Sequence, residues 1–159
     1  MIEDKNGRLI DAQAERLIFP IINNMDEVIG FGGRFLGKTD FAKYKNTKET
    51  LLFNKRNTLY NINLLKKLKR EKPISSVIMV EGYMDVIALH AAGFTNAVAT
   101  LGTAITSEQA RLMSRYTKKV IISLVEILTI DVTVNSITIN TIGKTDKAAS
   151  LIFSNKKRI

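Results

Sequence analysis

The pattern of apolar and polar positions near the start of the chain predicts short strands. Apolar runs at 17–19 and 21–22 flank Pro20 and predict two strands separated at the proline. Residues 28–34 predict another strand, although three glycines interrupt it. Glycine weakens a strand interior unless a backbone or a ligand must approach closely, so we expect a close approach there. The polar stretch 35–58 predicts loop with short β pieces.

The middle of the chain alternates between strand-like and helix-like patterns. The strand-like segments are 76–80, 97–99 and 119–124, and the helix-like segments are 60–71, 83–92 and 106–116. Gly93 stands where a helix commonly ends, and Thr106 or Ser107 can cap the last helix. Strands that alternate with helices at this spacing predict parallel strands joined by right-handed crossovers. The predicted fold class is therefore α/β, with a small β-rich segment before the parallel sheet.

The pattern changes again after residue 124. Alternating Ile, Val and Thr predict one strand over 131–140, and 146–153 is weakly helical. We therefore expect three units along the chain: a basic, β-rich segment (1–72), a parallel-sheet unit (73–124) and a divergent tail (125–159).

The charge balance favours a polyanionic partner. The chain has 24 Lys and Arg against 15 Asp and Glu, a formal net charge of +9. The densest basic stretch runs from residue 38 to residue 72. Such an excess suits nucleic acid, although a basic surface also serves solubility alone.

Composition excludes several classes of protein. Without cysteine, and with His90 as the single histidine, the chain has neither a disulfide nor a structural zinc site of the Cys/His type. We interpret His90 as a packed helix residue, because its neighbours are apolar. No run of about 18 apolar residues predicts a membrane span, and the first residues do not resemble a signal peptide. We therefore expect a soluble, intracellular protein.

A pair of carboxylates follows the first apolar strand of the middle stretch. Glu81 comes directly after the strand at 76–80, and Asp85 lies one helical turn later, beyond Gly82. Ligands of open parallel sheets bind outside the carboxyl ends of the strands. Two carboxylates there form a candidate Mg²⁺ platform, because Mg²⁺ takes few protein oxygens and keeps several waters. A surface Glu81 and an Asp85 that only favours a helix N-terminus are equally compatible with this spacing.

Cations interleaved with aromatic residues are candidate nucleic-acid contacts. The cations are Arg34, Lys43, Lys55 and Arg56, and the aromatic residues are Phe35, Tyr44 and Phe53. A groove that follows a single strand combines positive charge with rings on which bases stack. A solvated basic surface is the alternative interpretation.

Residues 32–39 match the phosphate-loop pattern G-x-x-x-x-G-K-T. Such a loop needs a helix directly after it, because its amides converge at the helix N-terminus. Residues 40–46 show no apolar stripe at helical spacing. We interpret the match as a coincidence.

Six segments together resemble the catalytic core of bacterial DnaG-type DNA primases. They are 16–21, 28–34, 43–50, 59–60, 80–86 and 97–104, and the resemblance runs from about residue 6 to residue 123. Each motif is short, but six in the same order are specific. The segment from 31 to 60 lies outside the TOPRIM part and is particular to primases.

The resemblance implies synthesis of short RNA primers on single-stranded DNA by metal-dependent nucleotidyl transfer during replication. It implies a partial TOPRIM unit that starts near Ser76. It places Glu81 and Asp85 in a Mg²⁺ or Mn²⁺ centre, and Arg34, Lys43 and Lys55 in a basic ridge that contacts template and nucleotide. The implied partners are single-stranded DNA, ribonucleotides and a replicative helicase, in the bacterial cytoplasm near the nucleoid.

The chain also departs from the family pattern. The match lacks the zinc-binding module, the first half of the polymerase core and the helicase-docking domain. No Asp-x-Asp pair follows Ser123, where the family pattern has one, and Glu126 is the one nearby carboxylate that could add to Glu81 and Asp85. We therefore expect a fragment that is inactive alone. A shift of reading frame near Ser123 is one hypothesis, which the nucleotide sequence decides.

Other functions stay open at this point. A non-enzymatic remnant that only binds nucleic acid is the first alternative. A different TOPRIM enzyme, such as a nuclease, and a phosphate-loop nucleotide binder are the others. The primase-like segment 31–60 argues against the nuclease.

Overall fold

A computed structural model describes residues 2–3, 6–37, 42–102, 104–123, 127–132 and 137–141. The strands before the first helix are β1 (Ile2–Glu3), β2 (Leu9–Ile10), β3 (Arg16–Ile22), β4 (Val28–Phe35) and β5 (Tyr44–Asn46). β1 pairs with β2, and β3, β4 and β5 form an antiparallel sheet in that order. The prediction of a β-rich start is therefore confirmed.

Pro20 lies inside β3, so the prediction of two strands separated at the proline is wrong. The strand continues through it, with Pro20 opposite Phe31 of β4. β3 is an edge strand of its sheet. Proline has no N–H to donate, and an edge strand tolerates this because one of its sides has no partner strand.

A parallel sheet follows, as the α/β prediction required. The elements are α1 (Ile62–Glu71), β6 (Val77–Val80), α2 (Tyr83–Ala91), β7 (Ala97–Ala99), α3 (Ser107–Ser114) and β8 (Lys119–Ser123). β6 is central and pairs in parallel with β7 and with β8. The hydrophobic core between this sheet and its helices contains fully or nearly fully buried side chains: Leu65, Val77, Met79, Val98, Met113, Val120 and Ile122.

The ends of the helices follow the sequence signals. Gly93 has a φ of +92°, the left-handed conformation that glycine adopts without steric cost after a helix. The Thr106 hydroxyl accepts a hydrogen bond from the Gln109 N–H at 3.2 Å and so caps α3. Within the described ranges, none of the helices combines the length and the apolar character that crossing a bilayer requires.

The tail adds a hairpin to the sheet, which corrects the prediction of one strand over 131–140. β9 (Ile127–Val132) pairs antiparallel with β8, and β10 (Ile137–Thr141) pairs antiparallel with β9. The alternating pattern specified strand but not the reversal within it, and folding back gives β9 a partner on both sides. The predicted helix at 146–153 lies outside the described residues.

Asn61 joins the chain before α1 to the parallel sheet. Its φ is +70°, and its Nδ2 donates to the Ala97 carbonyl oxygen at 2.9 Å. The same Nδ2 lies 2.9 Å from His90 Nε2 on α2. His90 is half buried, which agrees with its interpretation as a packed helix residue. One side chain thus ties three segments together.

Candidate metal and nucleic-acid site

The two candidate carboxylates lie at one edge of the parallel sheet. Glu81 follows the last residue of β6 and is exposed, and its carbonyl oxygen accepts a hydrogen bond from the Thr100 hydroxyl at 3.3 Å. Asp85 is also exposed and belongs to the first turn of α2. Thr100 follows β7, which is parallel to β6, so the loops after both strands meet at the carboxyl edge. This is the edge at which α/β sheets bind ligands.

Asp85 also takes part in capping α2. Its Oδ2 accepts a hydrogen bond from the Gly82 N–H at 3.2 Å. This contact matches the alternative in which Asp85 favours the helix N-terminus. The two functions are compatible, because a carboxylate has a second oxygen and further lone pairs.

The pair fits one divalent cation better than two. Among the described residues, no group of three or more His, Cys, Asp or Glu side chains is arranged to hold a metal. Mg²⁺ commonly binds through one or two carboxylates, with waters and substrate phosphates as its other ligands. Glu81 and Asp85 satisfy that minimum. Glu126, the carboxylate that follows Ser123 most closely, lies outside the described residues.

Tyr83 lies between Glu81 and Asp85 in the sequence, and its side chain packs against the three-stranded sheet. Its side chain is 4% exposed, and its ring stacks on Phe19 with centroids 4.4 Å apart. The ring covers Gly32, where an added Cβ would come within 2.7 Å of Tyr83 Cε1. Burial raises the pKa of Tyr83, while the charges of Arg16 and Arg34 act to lower it. The close approach expected from the glycines of β4 is therefore a contact with an aromatic ring.

Two of the candidate cations meet on Tyr44. The Arg34 guanidinium lies 5.8 Å from the centre of the Tyr44 ring, and Lys43 Nζ lies 5.9 Å from it. The Tyr44 ring in turn meets Tyr83 edge-on, at 5.7 Å between centroids. Tyr44 remains 46% exposed. The cations thus contact Tyr44, and Tyr44 in turn contacts Tyr83, which lies between Glu81 and Asp85 in the sequence.

Phe53 does not belong to this surface, which corrects its place among the interleaved aromatic residues. It is fully buried. Its ring packs at Gly30, where an added Cβ would lie 3.4 Å from Phe53 Cδ1. A glycine on the inner face of β4 leaves room for the ring, and burial removes it from any contact with a base.

Lys55 is held by a different set of contacts. Its carbonyl oxygen accepts a hydrogen bond from Gln109 Nε2 at 2.9 Å, and the neighbouring Arg56 carbonyl accepts one from the Thr106 hydroxyl. Both donors belong to the start of α3, which follows β7. Lys55 therefore lies on the carboxyl-edge side of the parallel sheet. Its backbone is held there by contacts with the start of α3, and not by contacts with Tyr44.

The phosphate-loop pattern does not begin in a loop. Its first four residues lie in β4 and pair with β3 or β5. Backbone groups in such a ladder are not free to converge on a phosphate. Lys38 and Thr39, which complete the pattern, lie outside the described residues.

Sequence reasoning missed the importance of Tyr83, Gly32 and Asn46. Asn46 faces Gly32 across β4 and β5, and its Nδ2 donates to the Leu101 carbonyl oxygen at 3.2 Å. The available signal was the spacing of Gly30 and Gly32, which places both glycines on one face of a strand. That spacing indicates that large side chains can pack against this face of the strand, but it does not indicate which side chains do so.

Comparison with known proteins agrees with this architecture. Residues 1–66 match the family described as "DNA primase catalytic core, N-terminal domain", and residues 75–129 match the Toprim domain. The DNA primase of Clostridium acetobutylicum is 45% identical over 123 residues, which cover 77% of this chain and 20% of that protein. This chain therefore spans about a fifth of the length of that curated relative.

Solved primase structures resemble the chain as well. The E. coli primase catalytic core superposes with a TM-score of 0.70 at 40% identity, covering 76% of this chain and 38% of that one. The structure described as the DnaG primase catalytic domain bound to ssDNA gives a TM-score of 0.68 at 40% identity, with the same coverage of 76% and 38%. The resemblance stated from the motifs is confirmed. The chain belongs to the bacterial DnaG-type DNA primase family and carries part of its catalytic core.

Proposed function

We propose that this chain binds single-stranded DNA and a divalent cation as part of a DNA primase. The family activity is synthesis of short RNA primers by metal-dependent nucleotidyl transfer. The observation that supports the proposal is the contact of Tyr83, which lies between Glu81 and Asp85 in the sequence, with Tyr44 and Gly32 of the sheet that carries the cations. We assign strand binding to the basic segment 1–72 and cation binding to 73–124.

The strand-binding surface consists of Arg34, Lys43 and Tyr44. The exposed Tyr44 ring offers a face on which a base can stack, and the two cations neutralise phosphates on either side of that base. The two cations already lie within 6 Å of the ring centre, so their charge is concentrated around it. The similar primase domain solved with ssDNA supports this assignment.

The cation-binding side consists of Glu81 and Asp85. The Toprim and primase families imply use of a divalent metal, and two exposed carboxylates at the carboxyl edge fit one such ion. When bound, Mg²⁺ or Mn²⁺ stabilises negative charge that develops on phosphate oxygens. We assign Lys55 to the phosphates of an incoming ribonucleotide. The reason is that the backbone of Lys55 is hydrogen-bonded to the start of α3, at the carboxyl edge of the parallel sheet where Glu81 and Asp85 lie. Docking of a helicase is assigned to none of these residues.

The proposal predicts that Mn²⁺ strengthens strand binding. Affinity for a fluorescent single-stranded oligonucleotide, measured by anisotropy, is expected to rise about fivefold or more when Mn²⁺ is added, as for typical coupled sites. The reason is that a cation held by Glu81 and Asp85 adds a ligand for a phosphate of the strand. The double variant Glu81→Gln/Asp85→Asn is expected to lose this rise.

Removal of two negative charges strengthens DNA binding by itself, so the variant needs a control with the same change in charge. Glu27→Gln/Glu71→Gln removes two exposed carboxylates, one at the turn between β3 and β4, at the end of β4 remote from Arg34, and one at the end of α1. This control is expected to keep the full response to Mn²⁺. An equal response in all three proteins, or no strand binding at all, contradicts the proposed function.

A further inference from the structure

The ring of Tyr83 packs into a space on the three-stranded sheet that exists only because residue 32 is glycine. We call this space, bordered by Phe19, Gly32 and Asn46, the seat of Tyr83. Phe19, Gly32 and Asn46 form one row across β3, β4 and β5 on the inner face of the sheet. Tyr83 stacks on the first of them and covers the second, with Cζ at 3.1 Å from the position of an added Cβ. The seat is therefore shaped to the ring and has no room for a methyl group.

The next row along the same strands carries the strand-binding surface. Leu17, Arg34 and Tyr44 lie opposite one another, two residues beyond the row of Gly32. Two residues of a strand span about 7 Å. The Tyr83 ring thus touches Tyr44 edge-on, and Tyr83 itself belongs to the start of α2, between Glu81 and Asp85.

We propose that Tyr83, seated on Gly32, is a positioning residue that couples cation binding at Glu81 and Asp85 to strand binding at Arg34 and Lys43. The coupling runs through the ring rather than the hydroxyl. Tyr83 Oη is buried and, within the part of the chain that the structure describes, has no hydrogen-bond partner. The inference rests on the proposed function and adds the route by which its two halves communicate.

Gly32→Ala tests the coupling most sharply. The added methyl group displaces the Tyr83 ring, so the rise in oligonucleotide affinity on addition of Mn²⁺ is expected to fall from about fivefold to less than about twofold. Tyr83→Phe keeps the ring and is expected to keep the full rise. Tyr83→Ala removes the ring and is expected to behave like Gly32→Ala.

Gly37→Ala is the matched control. Its added Cβ would also meet an aromatic ring at 2.7 Å, that of Phe35, which lies three residues beyond Gly32 and therefore on the opposite face of β4. The control is expected to retain the rise with Mn²⁺. Circular dichroism and thermal melting establish that each variant is folded, and each variant that melts cooperatively enters the comparison.

The outcomes separate the inference from the proposed function. If the unmodified chain shows no rise with Mn²⁺, the proposed function is wrong. If the unmodified chain shows the rise and folded Gly32→Ala and Tyr83→Ala both retain it, the coupling through Tyr83 is wrong and the proposed function stands. Loss of the rise in Gly37→Ala as well would show that any disturbance of the sheet suffices, and would also overturn the inference.

Discussion

Replacing Arg34 and Lys43 together with alanine is expected to weaken binding of single-stranded DNA about 30-fold at low salt. Each lost charge-assisted contact contributes about 1 kcal/mol, and about 2 kcal/mol corresponds to that factor. The slope of log affinity against log salt concentration is expected to fall in magnitude by about 1.4, since each phosphate neutralised on a single strand contributes about 0.7. Fluorescence anisotropy at several salt concentrations measures both quantities.

The matched control is Arg70→Ala/Lys72→Ala. It lowers the formal net charge from +9 to +7, as the first double variant does, because each removes two cations. Both residues are exposed, at the end of α1 and in the segment that leads to the start of β6. They therefore lie toward the amino edge of the parallel sheet, opposite the site. Equal losses in the two double variants would mean that total charge, and not the surface around Tyr44, binds the strand.

Asn61→Asp is expected to lower the free energy of unfolding by about 3 kcal/mol. The side chain is 8% exposed, and its Nδ2 donates to the Ala97 carbonyl oxygen. Aspartate replaces that donor with a carboxylate oxygen, so the buried Ala97 carbonyl oxygen loses its donor and faces a negative charge, while His90 Nε2 can donate only to the new carboxylate. Aspartate also tolerates the left-handed backbone of this position, so the change adds no backbone strain. Urea denaturation near neutral pH measures the effect as a lower midpoint.

Asn57→Asp provides the comparison, since Asn57 is exposed in a turn. It is expected to change the free energy of unfolding by no more than about 0.5 kcal/mol. A loss below about 1 kcal/mol for Asn61→Asp would show that Asn61 does not tie the segment before α1 to the sheet.

The order of elements could be predicted because it depends on local patterns. The β-branched run that forms β6 and the glycine that ends α2 are readable without knowledge of the rest of the chain. Pro20 was misread for a related reason, because its tolerance depends on β3 being an edge strand, which is a property of the whole sheet. The reversal between β9 and β10 was missed because alternating residues indicate a strand without indicating where it turns.

The same distinction between local pattern and tertiary packing decides which parts of the candidate site could be predicted. Glu81 and Asp85 could be placed at the carboxyl edge, because strand direction follows from the alternation of strands and helices. Phe53 was misplaced and Tyr83 was overlooked for one shared reason. Both rings fill space above glycines of β4, and the sequence distance between ring and glycine conceals which ring sits on which glycine. Spacing alone shows that room exists, and only tertiary structure shows what occupies it.

Paramagnetic broadening of a bound strand by Mn²⁺ tests most directly whether the carboxylates and the cations form one site. A single-stranded oligonucleotide is bound to the chain, Mn²⁺ is added, and the ³¹P lines of the strand are recorded for the unmodified chain and for Glu81→Gln/Asp85→Asn. The account predicts strong broadening of a few phosphates in the unmodified chain and its loss in the variant, after subtraction of the effect of Mn²⁺ on free oligonucleotide. Broadening of the same size in both proteins would place the ion away from Glu81 and Asp85 and contradict a shared site.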